Sequence, residues 1–341
     1  MFKSSKAILL STIAAIVVIT SGCDERKTEA IGTTNATNAI TKLTLQMGWI
    51  PDGHQLGFWM AVDKGFYREH GLDVTIYPGG MDANPIRDVL NGSADVGQVG
   101  GIEQVVLAVN QGLPAKAIAA IHRQSPHALI SLQSNPIAKP SDFKGKTIAV
   151  AFGDTAEILL KAYMEAEKIP LDSVKLVPFR YDLTPLLLGQ VDGVTGFSTG
   201  QPVTIKEKGK EPCVLSYDSA GVKSYGYTLV ASDKTMAEKG AALKAFLAAS
   251  REGWQYAFAH PDESAELFKK RFGDSVEIER TKAELNLIRT LMLDKNGELA
   301  KWSIDDNIVE GVKNMLVEYS GVKKDLPPTL VYDNSFLNEQ P

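Results

Sequence analysis

The stretch WIPDGHQLGFWMAVDKGFYREHGLDVTIYPGG, Trp49 to Gly80, decides the fold. It holds a strand end, a helix and a second strand in immediate succession. Leu43 to Trp49 alternates apolar and polar side chains and stops before Pro51, the pattern of a strand. Gly57 to His70 carries Phe58, Ala61, Val62, Phe66 and Tyr67 at helical spacing, with Gly71 placed to end the helix. Leu72 to Tyr77 is the next strand, and Pro78, Gly79 and Gly80 close it.

Downstream, the alternation continues. Pro85 to Asn91 is a short helix closed by Gly92, Ala94 to Val99 a strand, Ile102 to Gln111 a helix, and Ala115 to Ile121 an apolar strand. The pattern then restarts with a strand at Lys146 to Phe152 and a helix at Thr155 to Glu167. Asp154 and Glu157 stand at capping-box spacing. Val174 to Val177, a helix near Leu183 to Leu188, and Asp192 to Phe197 repeat the scheme, and Cys213 falls in a further short strand. Gly92-Ser93-Ala94-Asp95 and Gly189-Gln190-Val191-Asp192 echo each other, each setting a helix-ending Gly before a strand-starting Asp. After a strand at Tyr227 to Ser232 the chain is helical: Ala237 to Ala259, a helix starting at Pro261, and Ile304 to Tyr319. No Gly/Ser linker precedes these helices, so they pack back on the first lobe. Strands alternating with helices imply parallel pairing through crossovers.

At the N-terminus, Lys3 and Lys6 precede an apolar run from Ala7 to Ile19, and Ser21, Gly22 and Cys23 follow. This is the layout of an export signal, and the run is too short to span a bilayer. The site resembles a bacterial lipoprotein box with Thr20 where Leu is usual, which makes residues 1–22 the signal and Cys23 the lipidated residue. Residues 23–41 are a polar tether. With 44% apolar and 23% charged residues, the remainder is globular and long enough for two lobes. The formal charge is −5 before the two signal lysines are lost, and no basic tract interrupts the chain, which argues against nucleic acid as a partner. Cys213 is then the one remaining cysteine, so the fold has no internal disulfide; buried and inert is its expected state.

In open α/β sheets, ligands gather beyond the carboxyl ends of the strands. That rule selects Trp49 and His54; Gly79 and Gly80; Gly100 and Gly101; Gly153, Asp154 and Thr155; and Gln201. The Gly-rich turns feed helix N-termini, where free N–H groups attract acceptor atoms. Trp49 offers a flat face for a ring, and Tyr181, Tyr225 and Tyr227 supply candidates to close over it. His122 and His127 lack the i, i+4 spacing of helical metal ligands, so they are expected to be structural or to line a hinge. No P-loop or G-x-G-x-x-G fingerprint supports nucleotide binding.

On the residues from Trp49 to Gly80, with the turns just named, the chain resembles the NMT1/THI5-like (SsuA/THI5-like) substrate-binding proteins of ABC importers. The resemblance implies an α/β, type II periplasmic binding-protein fold, with two lobes, two hinge crossings and a ligand cleft between. Lobe 1 comprises 42–125 and 226–330 with the C-terminal helices, and lobe 2 comprises 126–225. It also implies a monomer without a cofactor, exported to the periplasm or the outer face of the cytoplasmic membrane, with a permease and an ATPase as partners. Members that bind aminopyrimidines carry Asn-Glu-Pro after a middle-lobe strand, whereas this chain has Gly200-Gln201-Pro202. An amide in place of a carboxylate suits an imide-like edge, as in uracil or flavin. The expected role is delivery of a thiamine-pyrimidine precursor or a flavin. The alternatives are a sulfonate such as taurine and, in a different class, the pyrimidine synthase of the same superfamily. That enzyme consumes its own pyridoxal phosphate-bearing lysine and a histidine, and the corresponding segment here, Gly97 to Asn110, contains neither residue type.

Overall fold

Two five-stranded sheets carry the chain. The computed structural model describes residues 40–337, so the expected signal at 1–22, Cys23 and the expected tether through residue 39 lie outside the described residues. The first sheet has the order β2-β1-β3-β10-β4, built from β1 (Thr41–Gln46), β2 (Leu72–Tyr77), β3 (Val96–Val99), β4 (Ala115–Ala120) and β10 (Thr228–Ser232). The second has the order β7-β6-β8-β5-β9, from β5 (His127–Leu132), β6 (Thr147–Val150), β7 (Lys175–Pro178), β8 (Gly193–Phe197) and β9 (Pro212–Ser216). The expectation of parallel pairing holds for β1 with β2 and β3, and for β6 with β7 and β8. It fails for one strand in each sheet. β10 runs antiparallel to β3 and β4, and β5 antiparallel to β8 and β9. These are the strands on which the chain enters one sheet directly from the other, with no crossover helix to reverse its direction.

The chain crosses between sheets after β4 and again before β10. Ile121 N–H donates to Tyr227 C=O at 2.8 Å, which ties the two crossings together. The echoed Gly-x-x-Asp segments do the same work in both sheets. Asp95 takes the Thr44 N–H on its carboxylate at 2.9 Å while its own N–H goes to Thr44 C=O. Asp192 treats Thr147 in the same way, at 2.7 Å. Asp95 thus pins β1, and Asp192 pins β6.

The helices are α1 (Leu56–Asp63), α2 (Phe66–Glu69), α3 (Pro85–Leu90), α4 (Ile102–Asn110), α5 (Thr155–Ala166), α6 (Thr184–Leu187), α7 (Gln201–Glu207), α8 (Asp233–Ala259), α9 (Pro261–Phe272), α10 (Ile278–Met292) and α11 (Asp306–Ser320). The single helix expected over Gly57–His70 is in fact α1 and α2, broken where Gly65 takes φ +85°. The final helix begins at Asp306 rather than Ile304, and α8 is interrupted at Lys239. Apolar clusters cover both faces of each sheet. One face of the first packs Leu43, Leu45 and Ile118 against Phe58, Phe246 and Trp254, and the other packs Val99, Ala117 and Val230 with α4 and α11. In the second sheet, Leu129 and Ile148 face α5, while Ile130 and Val194 face Leu186 and Ile205. Cys213 is buried in β9, its thiol 4.0 Å from Ile137 C=O.

Candidate ligand-binding cleft

Loops from both sheets enclose a cavity of about 750 Å³. Trp49 lies three residues past the end of β1, in a bend rather than in the strand. The bend is held from two sides. Gln55 Nε2 donates to Trp49 C=O and Ile50 C=O, both at 2.9 Å, and Gly79 N–H donates to Trp49 C=O at 2.9 Å. Only glycine fits at 79, because a Cβ there would stand 2.3 Å from Met47 C=O.

Across the cavity, Tyr181 follows β7. Its ring centroid is 5.5 Å from that of Trp49, the planes inclined by 50°. Tyr181 has φ +60°, a left-handed conformation that costs a residue with a Cβ about 1–2 kcal/mol. Its hydroxyl donates to Asp154 Oδ2 at 2.8 Å, and Phe179 packs beside its ring at 5.3 Å. Asp154 also caps α5 through the Thr155 N–H at 2.7 Å. The aromatic pair therefore joins two loops that belong to different sheets.

A second connection lies deeper. His54 Nε2 meets Thr199 Oγ1 at 2.6 Å, and His54 Nδ1 stands 3.3 Å from Asp52. Burial opposes charge on this imidazole, but Asp52, and beyond it Glu284, outweigh burial and raise its pKa. Rings surround it, with Tyr227 at 5.0 Å, His122 at 5.6 Å and Phe197 at 6.0 Å. The outer wall is α10. Glu284 accepts Gly53 N–H at 2.9 Å and Arg280 Nε at 2.9 Å, while Arg280 also lies 3.6 Å from Glu207 on α7. Burial, then the nearby charge of Asp52, pushes the Glu284 carboxyl up.

Of the residues chosen from sequence, the cavity wall contains Trp49, His54, Gly80, Gly100, Asp154, Tyr181 and Gln201. Gly79 supports the Trp49 bend from behind. Gly101 precedes α4, where a Cβ would stand 2.2 Å from Glu103 Oε2 and force that side chain to shift. Gly153 turns the chain at φ +83° and donates to Glu157, and Thr155 is buried in the first turn of α5. Tyr225 does not face the cavity: it is 1% exposed, and its hydroxyl donates to Asp305 at 2.7 Å beside Arg123. Gln201 faces the cavity with only part of its amide, because its Oε1 already accepts the Phe197 N–H at 2.8 Å.

The wall also holds His127, which the sequence reading expected to be structural or hinge-lining, Asp52 and Phe197, which lie in segments it selected without being singled out, and Thr195, Glu284 and Arg280, which it did not select. Thr195 could have been found by extending the strand-end rule two residues back along β8 from Phe197. α10 has no such signal, since its approach depends on how the C-terminal helices dock. Among the described residues no group of His, Cys, Asp and Glu could hold a metal ion, His122 and His127 included.

Residues 53–264 match the family model described as NMT1/THI5 like. The riboflavin-binding protein RibY of Chloroflexus aurantiacus is 27% identical over 68% of this chain and 67% of its own length. The formylaminopyrimidine-binding protein of Halalkalibacterium halodurans is 24% identical over 66% of this chain and 69% of its own. Among solved structures, the periplasmic aliphatic sulphonate binding protein SsuA of Escherichia coli superposes with a TM-score of 0.68 at 14% identity. That match covers 88% of this chain and 94% of the neighbour, a likeness of fold.

Proposed function

The chain belongs to the NMT1/THI5-like family, and from that premise we propose that it is the solute-binding component of an ABC importer. It captures a neutral nitrogen heterocycle of flavin size between its lobes and presents it to a membrane permease. The observation that carries this reading is the Trp49–Tyr181 pair, contributed by loops of different sheets to one cavity wall. Aromatic faces at that position serve a flat ring better than a small tetrahedral anion. The volume, about 750 Å³, is in the range that buries a drug-sized ligand and exceeds what a lone pyrimidine or taurine fills.

Charge argues the same way. Asp52, Asp154, Asp182, Glu277 and Glu284 line the cavity against Lys208 and Arg280, and Arg280 is engaged by two carboxylates. A sulfonate entering there meets a net negative wall, and a neutral ring does not. The likeness to SsuA is one of fold, so it adds no weight to that alternative. The synthase reading lacks support from the chain's own residues, because Gly97–Asn110 offers neither a lysine nor a histidine.

The proposal includes export, acylation at Cys23 and action as a monomer. Fatty-acid labelling that is lost in Cys23→Ser tests the anchor, and an unlabelled wild-type protein removes it. Equilibrium titration of the purified protein with riboflavin, formylaminopyrimidine and taurine tests the ligand class. Riboflavin should bind most tightly and taurine not measurably; the reverse order returns the cleft to sulfonates.

A further inference from the structure

Two polar side chains in the cavity wall have no hydrogen-bond partner. The Thr195 hydroxyl is unpartnered on a residue 2% exposed, and His127 Nδ1 is unpartnered on a residue 7% exposed. Folded chains leave few buried polar atoms in this state, and each such atom calls for a reason. Unpaired atoms also occur on Gln98 and His122, which are outside the wall, and on His54 in the wall, whose Nδ1 stands 3.3 Å from the Asp52 carboxylate. Position, and not the missing partner alone, singles out the pair.

The strands place the two side chains together. His127 opens β5 opposite Phe197, and Thr195 lies opposite Leu129 in β8. Directly opposed residues share a face, and so do residues two apart, so His127 and Thr195 are diagonal neighbours on one face of the second sheet. Phe197 meets the His127 ring edge-on at 4.7 Å, which fixes the plane of the imidazole. Gln201, the residue that sequence reading assigned to this task, has its carbonyl occupied by the backbone.

We propose that Thr195 and His127 form the polar floor of the cleft and read the donor–acceptor edge of the ligand ring. This rests on the ring-binding reading given above. A hydroxyl donates once and accepts twice, and a neutral imidazole has one N–H and one lone pair. Together they complement a ring edge that alternates carbonyl and N–H, as in a pyrimidinedione. Burial pushes the His127 pKa down to about 4, so at neutral pH the floor has no cation to offer a sulfonate.

The test is titration of riboflavin into Thr195→Val, His127→Gln and Trp49→Ala, with melting temperatures of the ligand-free proteins. Thr195→Val should weaken binding at least tenfold while leaving the ligand-free melting temperature unchanged or higher, because it removes an unpaired hydroxyl. A merely structural threonine would not separate the two readouts. His127→Gln should also weaken binding at least tenfold, and Thr195→Ser should restore most of what Val loses. If Thr195→Val does not fold, Thr195→Ala against Thr195→Ser gives the same comparison. If Trp49→Ala weakens binding tenfold while the floor variants stay within twofold of wild type, the floor is overturned and the ring-binding reading stands. If the wild-type protein binds no heterocycle, both fall together.

Discussion

Glu103 is fully buried in the first turn of α4, where Oε1 accepts the Ser224 hydroxyl and Oε2 has no partner. Burial raises its carboxyl from 4.5 to about 7. Below pH 4.5 the group is protonated both folded and unfolded and costs nothing. Between 4.5 and 7 the unfolded chain releases the proton that the folded chain holds, so stability falls as pH rises. Glu103→Gln cannot titrate. Whatever the amide costs at pH 5, its stability relative to wild type should improve by roughly 2–3 kcal/mol by pH 8, measured by urea denaturation at both values. A difference that stays constant with pH would refute the buried acid. At this scale the sequence was legible where chemistry is intrinsic to a residue type. Trp49 at the cavity wall and Asp154 as a cap follow from side chain and position. Tyr225 and Gln201 did not, since the bonds to Asp305 and to the Phe197 N–H depend on backbone placement.

Between elements, the contact of α1 with α8 is made by glycines. A Cβ at Gly253 would stand 2.1 Å from Gly57 C=O and 2.8 Å from Ala61 Cβ, and one at Gly57 would strike the Trp254 ring. Gly253→Ala gains helix propensity of about 1 kcal/mol but must push α1 away, at a typical cost of 1–3 kcal/mol and more against backbone. We predict a net loss of about 2 kcal/mol in urea denaturation, with riboflavin affinity of the folded protein within threefold of wild type. A gain in stability would show that the helices do not approach as described. Elements were legible wherever apolar periodicity was long and clearly ended, by Gly112 after α4 and by Pro170 beyond α5. β5 and α7 were missed. All six residues of β5 are buried, so it has no alternation to mark it, and α7 is a short helix entered through Pro202. The reversed directions of β5 and β10 leave no local trace, because direction within a sheet is set by where the chain has come from.

Over the whole molecule, the two sheets are linked by two crossings, and the segments around them meet at Trp49–Tyr181, His54–Thr199 and, between α10 and α7, Arg280–Glu207. Ile50, Met81 and Tyr181 leave apolar surface exposed in the cavity wall, at 52%, 69% and 41%. Exposed apolar groups gathered at a cleft mark a surface that a ligand or a closing lobe covers. The Trp49 and Tyr181 rings leave no gap for a third ring between them, so a bound ring lies against one of their faces or parts them. We predict that the face it uses is that of Trp49. The direct measurement is a riboflavin titration, followed by quenching of flavin fluorescence, of the wild-type protein and Trp49→Ala. The account predicts one site with Kd on the order of 1 μM or tighter, weakened in Trp49→Ala by about 1–3 kcal/mol, roughly 5- to 150-fold. Equal affinity in the two proteins, or no flavin binding alongside tight binding of taurine, would contradict it.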